Sequence, residues 1–126
     1  DCGLQVNPTI VEGQVHGGIA QALGAGLFEE LLYDPESGQL LNGTMVDYFM
    51  PTAADLPAFE LDHTETPSPV TPFGIRGIGE SGTIPPAAAV ANAICDALGP
   101  FRVEISRLPI TPVAVWRSLE RARQQA

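Results

Sequence analysis

The chain has 126 residues, the size of one domain, and its 44% hydrophobic and 17% charged residues are typical of a globular protein. Its net charge of -9 argues against nucleic-acid binding, because an acidic surface repels phosphate backbones. No apolar run approaches the roughly 20 residues that a membrane helix needs, so we expect no membrane association.

The charges are segregated along the sequence. Residues 1–75 carry eleven Asp or Glu residues and neither Lys nor Arg, whereas five of the six arginines lie between Arg102 and Arg123. A surface whose charges are all negative either keeps a protein soluble or binds a basic partner.

The first predicted element is a helix over residues 10–33, where apolar residues recur near every fourth position and Pro8 and Thr9 suit the helix entry. The sequence "DPESGQ" then predicts a turn. Strands are predicted over residues 59–65 and 101–109, and residues 39–51 predict a strand or extended chain with a tight turn at Asn42-Gly43.

Residues 66–85 are rich in proline and glycine and predict a long loop. A second helix is predicted over residues 85–98, and a third helix begins at Pro112 with Thr111 as its cap. Together these elements predict an α+β fold in a single domain, with about three helices packed on a small mixed sheet and one long Pro/Gly-rich loop.

The first helix contains five glycines, each of which costs about 1 kcal/mol relative to alanine in a helix interior. They are Gly13, Gly17, Gly18, Gly24 and Gly26. Such a sequence indicates close backbone approach, either to another element or to a ligand that lies on the glycine face. Gln14 could offer a donor and an acceptor to a heterocycle, or it could be a solvated or capping side chain.

The long loop carries one carboxylate, Glu80, surrounded by glycines that leave room for a bulky partner. A helix N-terminus stabilises a carboxylate anion, whereas burial favours the neutral acid. A glutamate held between these two effects suits general-base catalysis. The alternative is a helix-capping or solvated glutamate.

Three further patterns give only weak indications of function. Gly77, Gly79 and Gly82 match the G-x-G-x-x-G dinucleotide fingerprint, but prolines precede them and an acidic residue lies inside the turn. His63 has acidic neighbours but no second histidine at metal-ligand spacing. Ser81 and Ser106 lack the context of a catalytic nucleophile.

The two cysteines, Cys2 and Cys95, lie far apart and form no C-x-x-C motif, so this chain alone cannot build an iron–sulfur cluster or a zinc knuckle. Two free thiols in a reducing compartment are the favoured interpretation, although a disulfide between them stays open. We therefore expect a cytoplasmic location.

Three stretches, "VEGQVHGGIAQALG", "FELDHTETPSP" and "GIRGIGESG", together resemble the C-terminal part of the large, molybdenum-binding subunit of the xanthine dehydrogenase / aldehyde oxidase family. The likeness is greatest to the bacterial branch named after aerobic carbon monoxide dehydrogenase, and it runs over nearly the full chain. The specific part of this pattern is the glycine-rich stretch "GIRGIGE", which follows the motif G-Q-V-x-G in the sequence.

This resemblance implies roles for individual residues. Glu80 would be the general base next to molybdenum in an enzyme that hydroxylates an aldehyde, a heteroaromatic ring or a similar carbon centre with water. Gln14 and Gly79 would contact the cofactor region. Arg76 would order the loop, whereas His16 lies at a position that varies and receives no role. None of these residues is expected to ligate a metal.

The resemblance also implies a cofactor and partners. The cofactor would be molybdopterin with molybdenum, in its cytosine dinucleotide form, and the partners would be the rest of the large subunit and iron–sulfur and flavin modules. Residues 1–126 would form a C-terminal cofactor-binding domain that is inactive and free of molybdenum on its own. The alternative is a non-catalytic assembly module that keeps the fold.

Overall fold

A computed structural model describes residues 1–125, and three α-helices organise this part of the chain. Helix α1 spans Pro8–Leu23 and continues as a π-helical turn over Gly24–Phe28. Helix α2 spans Pro86–Leu98 and is followed by a 3₁₀ turn over Gly99–Phe101. Helix α3 spans Pro112–Gln125. A further 3₁₀ turn, Pro72–Gly74, interrupts the long loop between α1 and α2.

The prediction of an α+β fold on a mixed sheet was wrong. Residues 1–125 contain three helices and no strand, and their one isolated β-bridge pairs Tyr33 with Leu40. The segments 39–51, 59–65 and 101–109 are irregular instead. A strand exists only where a neighbouring backbone exchanges hydrogen bonds with it, and an alternating side-chain pattern does not supply that neighbour.

The predicted turn at "DPESGQ" is confirmed, but the one at Asn42-Gly43 was wrong. Asp34 and Gln39 close the first turn through a backbone hydrogen bond of 2.8 Å. The Ser37 backbone N–H, and then its hydroxyl, donate to the Asp34 carboxylate and lower its pKa. Asn42 is buried, and its amide group receives a hydrogen bond from the Leu32 N–H and donates one to the Glu30 carbonyl.

The predicted helix starts are confirmed and have local causes. Asn7 caps α1 by accepting a hydrogen bond from the Ile10 N–H, and Pro8 takes the first helical position. The Thr111 hydroxyl accepts a hydrogen bond from the Ala114 N–H at the start of α3. The predicted end of the first helix was too late, since α-helical geometry stops at Leu23.

The end of α1 and its π-helical turn pack against α2 and form the centre of the structure. A Cβ atom on Gly26 would lie 3.5 Å from Val90 and 3.7 Å from the Ala87 side chain, which is ordinary contact. The Ile110 N–H donates to the Gly26 carbonyl at 2.7 Å and ties the segment before α3 to the same place. The buried apolar side chains are Cys2, Ala22, Leu98, Val103 and Ile110.

The chain exposes far more surface than a compact protein of its mass. Its accessible surface is 9200 Å², whereas the usual scaling for a compact monomer of this mass gives about 6,500 Å². Many large apolar side chains are exposed, among them Val46, Val70, Phe73, Ile84 and Trp116. Apolar surface of this extent is usually covered by further polypeptide. Within residues 1–125, no helix combines the length and the apolarity of a membrane span.

Candidate functional site

Helix α1 and the loop that carries Glu80 meet backbone to backbone. A Cβ atom on Gly18 would lie 2.8 Å from two backbone atoms of Gly82, and one on Gly82 would lie 2.6 Å from the Val15 carbonyl oxygen. Neither distance leaves room for a side chain, so both positions require glycine. The packing interpretation of the helix glycines is therefore confirmed for Gly18. The partner glycine, Gly82, was missed, because only the tertiary structure shows which glycines meet.

The loop also stabilises its own conformation around Glu80. The Ser81 N–H donates to the Ile78 carbonyl at 3.1 Å, and the Thr83 N–H and hydroxyl donate to the Glu80 carbonyl at 3.0 and 2.7 Å. The two bonds from Thr83 use the backbone carbonyl of Glu80 and not its carboxylate. The position of this side chain is consequently set by the loop backbone.

The N-terminal residues support the other end of the loop. The Arg76 N–H donates to the Cys2 carbonyl at 2.6 Å, and the carboxylate of Asp1 accepts hydrogen bonds from the N–H groups of Gly3 and Thr66. Arg76 thus contributes to this arrangement through its backbone. A loop-ordering role for its side chain stays a prediction.

The structure brings Gln14, Gly79 and Glu80 to one exposed region. The Oε1 atom of Gln14 lies 3.9 Å from the point where a Gly79 Cβ would stand, and all three residues are exposed. On the same helix, Cβ atoms on Gly13 and Gly17 would meet nothing within 4 Å. The amide of Gln14 thus lies next to the loop that carries Glu80.

The surroundings of Glu80 differ from the expected ones. Glu80 is exposed, and it precedes the first residue of α2, Pro86, by a run of turns. The helix N-terminus and burial were expected to act together on this carboxylate. Within residues 1–125 the described structure provides neither of them.

A cleft of about 440 Å³ lies beside the Glu80 loop. Its lining includes Ile78 and Ser81 from the Glu80 loop, and Asp62 and His63. His63 is exposed, and its backbone N–H donates to the Asp62 carboxylate at 2.8 Å. Across residues 1–125, no three His, Cys, Asp or Glu side chains are grouped to hold a metal ion.

The structure decides between the alternatives for the glycine fingerprint and for the two cysteines. The dinucleotide interpretation was wrong, because no strand in the described range precedes Gly77 and α2 begins only after Gly82, at Pro86. Cys2 and Cys95 are free thiols, as favoured from the sequence.

Comparisons with known proteins identify the relatives of this chain. The family described as the molybdopterin cofactor-binding domain matches residues 1–57, which include Gln14 but not Glu80. The nicotine 6-hydroxylase large subunit of Paenarthrobacter nicotinovorans is 51% identical over 94% of the chain and 14% of its own length. The carbon monoxide dehydrogenase large chain of Hydrogenophaga pseudoflava is 42% identical over 95% of the chain and 15% of its length.

A solved structure extends the likeness to the fold. Quinoline 2-oxidoreductase from Pseudomonas putida 86 superimposes with a TM-score of 0.91 at 51% identity, over 95% of this chain and 15% of that one. The chain thus spans about one seventh of the length of the relatives that it matches. Sequence and structure agree across nearly all of it, and the chain belongs to the family of molybdenum-binding large subunits of the xanthine dehydrogenase and carbon monoxide dehydrogenase type.

Proposed function

We propose that this chain serves as the C-terminal cofactor-binding part of a molybdenum hydroxylase large subunit, in which Glu80 is the general base and Gln14 contacts the cofactor. The observation that carries the proposal is the Gly18–Gly82 contact, which holds the Glu80 loop against the helix that bears Gln14. An amide and a carboxylate carried by adjoining segments suit a polar cofactor and a reacting water-derived oxygen.

The bound cofactor would supply the redox chemistry of the hydroxylation. In this proposal it is molybdopterin with molybdenum, in the cytosine dinucleotide form. Gln14 would orient it by a hydrogen bond, and Gly13, Gly17 and Gly79 would let it approach the backbone. Glu80 would take up a proton at its carboxylate.

The partners in this proposal are the remainder of the large subunit and iron–sulfur and flavin modules that accept electrons. The large exposed apolar surface supports a chain that is covered by further polypeptide. The free thiols of Cys2 and Cys95 suit a reducing cytoplasm.

For the substrate class we propose the N-heteroaromatic rings. The two proteins at 51% identity are named for nicotine and quinoline, both of which contain such a ring, whereas the carbon monoxide enzyme is 42% identical. We expect the complete enzyme to hydroxylate quinoline or nicotine with oxygen from ¹⁸O-labelled water. Turnover of aldehydes alone would contradict the heteroaromatic class, and oxygen taken from O₂ would contradict the hydroxylase itself.

Replacement of Gln14 tests the cofactor contact. Gln14→Ala in the complete large subunit should lower the molybdenum and pterin content of the purified protein, because it removes a hydrogen-bonding group from the cofactor surface. Gln21→Ala is the matched control, since Gln21 is an exposed glutamine on the same helix. Equal cofactor content in both variants and in the parent would contradict the cofactor contact and would favour the interpretation of Gln14 as a solvated side chain. A complete enzyme that never holds molybdenum would favour the assembly-module alternative.

A further inference from the structure

The peptide unit between Glu80 and Ser81 is hydrogen-bonded at both of its ends. Its carbonyl, which belongs to Glu80, accepts the Thr83 N–H at 3.0 Å and the Thr83 hydroxyl at 2.7 Å. Its N–H, which belongs to Ser81, donates to the Ile78 carbonyl at 3.1 Å. Because a peptide unit is planar, bonds at both ends fix its orientation. The Cα atom of Glu80 lies in the same plane, so the start of its side chain is held as well.

Thr83 joins this peptide unit to helix α1. A Cβ atom on Gly18 would lie 3.0 Å from the Thr83 backbone nitrogen and 2.8 Å from two backbone atoms of Gly82, so Thr83 begins directly at the helix contact. The N–H and the hydroxyl of Thr83 then reach back to the Glu80 carbonyl. All of these contacts are made within the chain itself. They therefore do not depend on which polypeptide covers this part of its surface.

The Thr83 hydroxyl does not serve the helix that follows it. Threonine is a common N-cap residue, and Thr83 lies three positions before Pro86, the first residue of α2. The N-cap position is nevertheless Pro85, and in the described structure its side chain makes no capping hydrogen bond. The hydroxyl donates backwards, to a carbonyl that the Thr83 N–H already bonds. It thus adds a second bond to one carbonyl oxygen, which has two lone pairs to accept both.

We propose that Thr83 is a positioning residue for the general base, because its hydroxyl holds the backbone from which the Glu80 carboxylate extends. This inference rests on the function proposed above, in which Glu80 takes up the proton. In this role Thr83 acts through Glu80 and needs no contact with substrate or cofactor. Catalysis depends steeply on geometry, and a misplacement of about 1 Å can cost about a hundredfold in rate. Loss of a bond beneath the base should therefore slow the reaction.

Thr83→Val in the complete enzyme removes the hydroxyl and keeps the β-branched shape. We expect turnover per bound molybdenum to fall about tenfold at unchanged KM, which is less than a full misplacement costs because the Thr83 N–H bond remains. Thr83→Ser retains the hydroxyl and should stay within about twofold of the parent. Thr71→Val is the matched control, since the Thr71 hydroxyl donates to the Ile75 carbonyl at 2.7 Å in the same loop. It should also change turnover less than about twofold.

Hydrogen exchange of the complete enzyme, followed by mass spectrometry, gives a readout that is independent of activity. Thr83→Val should speed amide exchange in the peptide that spans residues 78–83, because the bonds that protect these amides open more often. Thr83→Ser and Thr71→Val should leave exchange there unchanged. All three variants should hold as much molybdenum as the parent. Unchanged exchange in Thr83→Val would overturn the proposal, since the hydroxyl would then not hold the loop.

Combination with Glu80→Gln shows whether Thr83 acts through the base. Once residue 80 cannot take up a proton, its position should matter little, so Thr83→Val should lower the residual rate by less than about twofold further. An equal loss in both backgrounds would overturn the positioning role and leave the base assignment intact. Normal turnover of Glu80→Gln alone would instead refute the proposed function, and this inference with it.

The controls can overturn the proposal as well. A comparable loss of turnover in Thr71→Val would mean that any loosening of the loop slows the enzyme. A comparable loss in Thr83→Ser would mean that the methyl group matters and not the hydroxyl. Should Thr83→Val fail to bind molybdenum, Thr83→Ala replaces it, because alanine also lacks the hydroxyl and adds no bulk. If both variants fail to bind molybdenum, Thr83 supports the fold as a whole, and the positioning role is refuted.

Discussion

Glu80→Gln in the complete large subunit is expected to lower the turnover rate about a thousandfold, the scale typical of losing a general base. The molybdenum content should stay unchanged. Glutamine has nearly the same shape as glutamate but cannot take up a proton. The loop itself should persist, because Thr83 bonds the backbone carbonyl of Glu80 and Gly82 packs against α1.

Steady-state turnover and metal analysis check this result together. Glu36→Gln is the control, since Glu36 is an exposed carboxylate in the turn at residues 35–37 and should leave both quantities unchanged. Normal turnover of Glu80→Gln would end the general-base assignment. Loss of molybdenum in parallel with activity would instead indicate that Glu80 supports the cofactor.

Local signals in the sequence predicted the helices well. The start of α1 at Pro8, the start of α3 at Thr111 and Pro112, and the end of α2 before Gly99 are set by residues within one turn of each boundary. Caps and prolines act through neighbouring backbone groups, and the sequence displays those neighbours directly.

The predicted strands failed because a strand depends on groups outside its own segment. Residues 101–109 alternate apolar and polar side chains, and Val103 is indeed buried, but no neighbouring backbone pairs with them in the described structure. Arg102 even adopts a left-handed conformation, with φ of 54°. An alternating pattern of apolar and polar residues indicates which side chains are buried. A helix or a loop can bury those side chains as well as a neighbouring strand can.

The roles of the candidate site residues stay a prediction, whereas the way in which the fold brings their motifs together could not be predicted from the sequence. Gln14, Gly79 and Glu80 could be selected from two motifs, and the structure does bring those motifs together. The glycines of α1, however, look alike in the sequence and differ in the fold. Gly18 touches a backbone, whereas Gly13 and Gly17 face open space.

The second large effect follows from this difference between neighbouring glycines. Gly18→Ala should lower the free energy of unfolding by up to about 2 kcal/mol, because overpacking costs about 1–3 kcal/mol and the helix propensity of alanine offsets about 1 kcal/mol of it. The added Cβ would lie 2.8 Å from the backbone of Gly82 and would displace the Glu80 loop. In the complete enzyme, a misplacement of about 1 Å would reduce turnover about a hundredfold.

Gly17→Ala is the matched control for stability, since it makes the same change one residue earlier on the same helix. Its Cβ would meet nothing within 4 Å, so alanine should stabilise the chain by about 0.4–1 kcal/mol. Denaturant unfolding of the two variants should thus shift the midpoint in opposite directions. Shifts of the same sign and size would show that α1 and the Glu80 loop separate easily. The Gly18–Gly82 contact would then be too weak to set the position of Glu80, and the base would have to be placed by contacts made elsewhere.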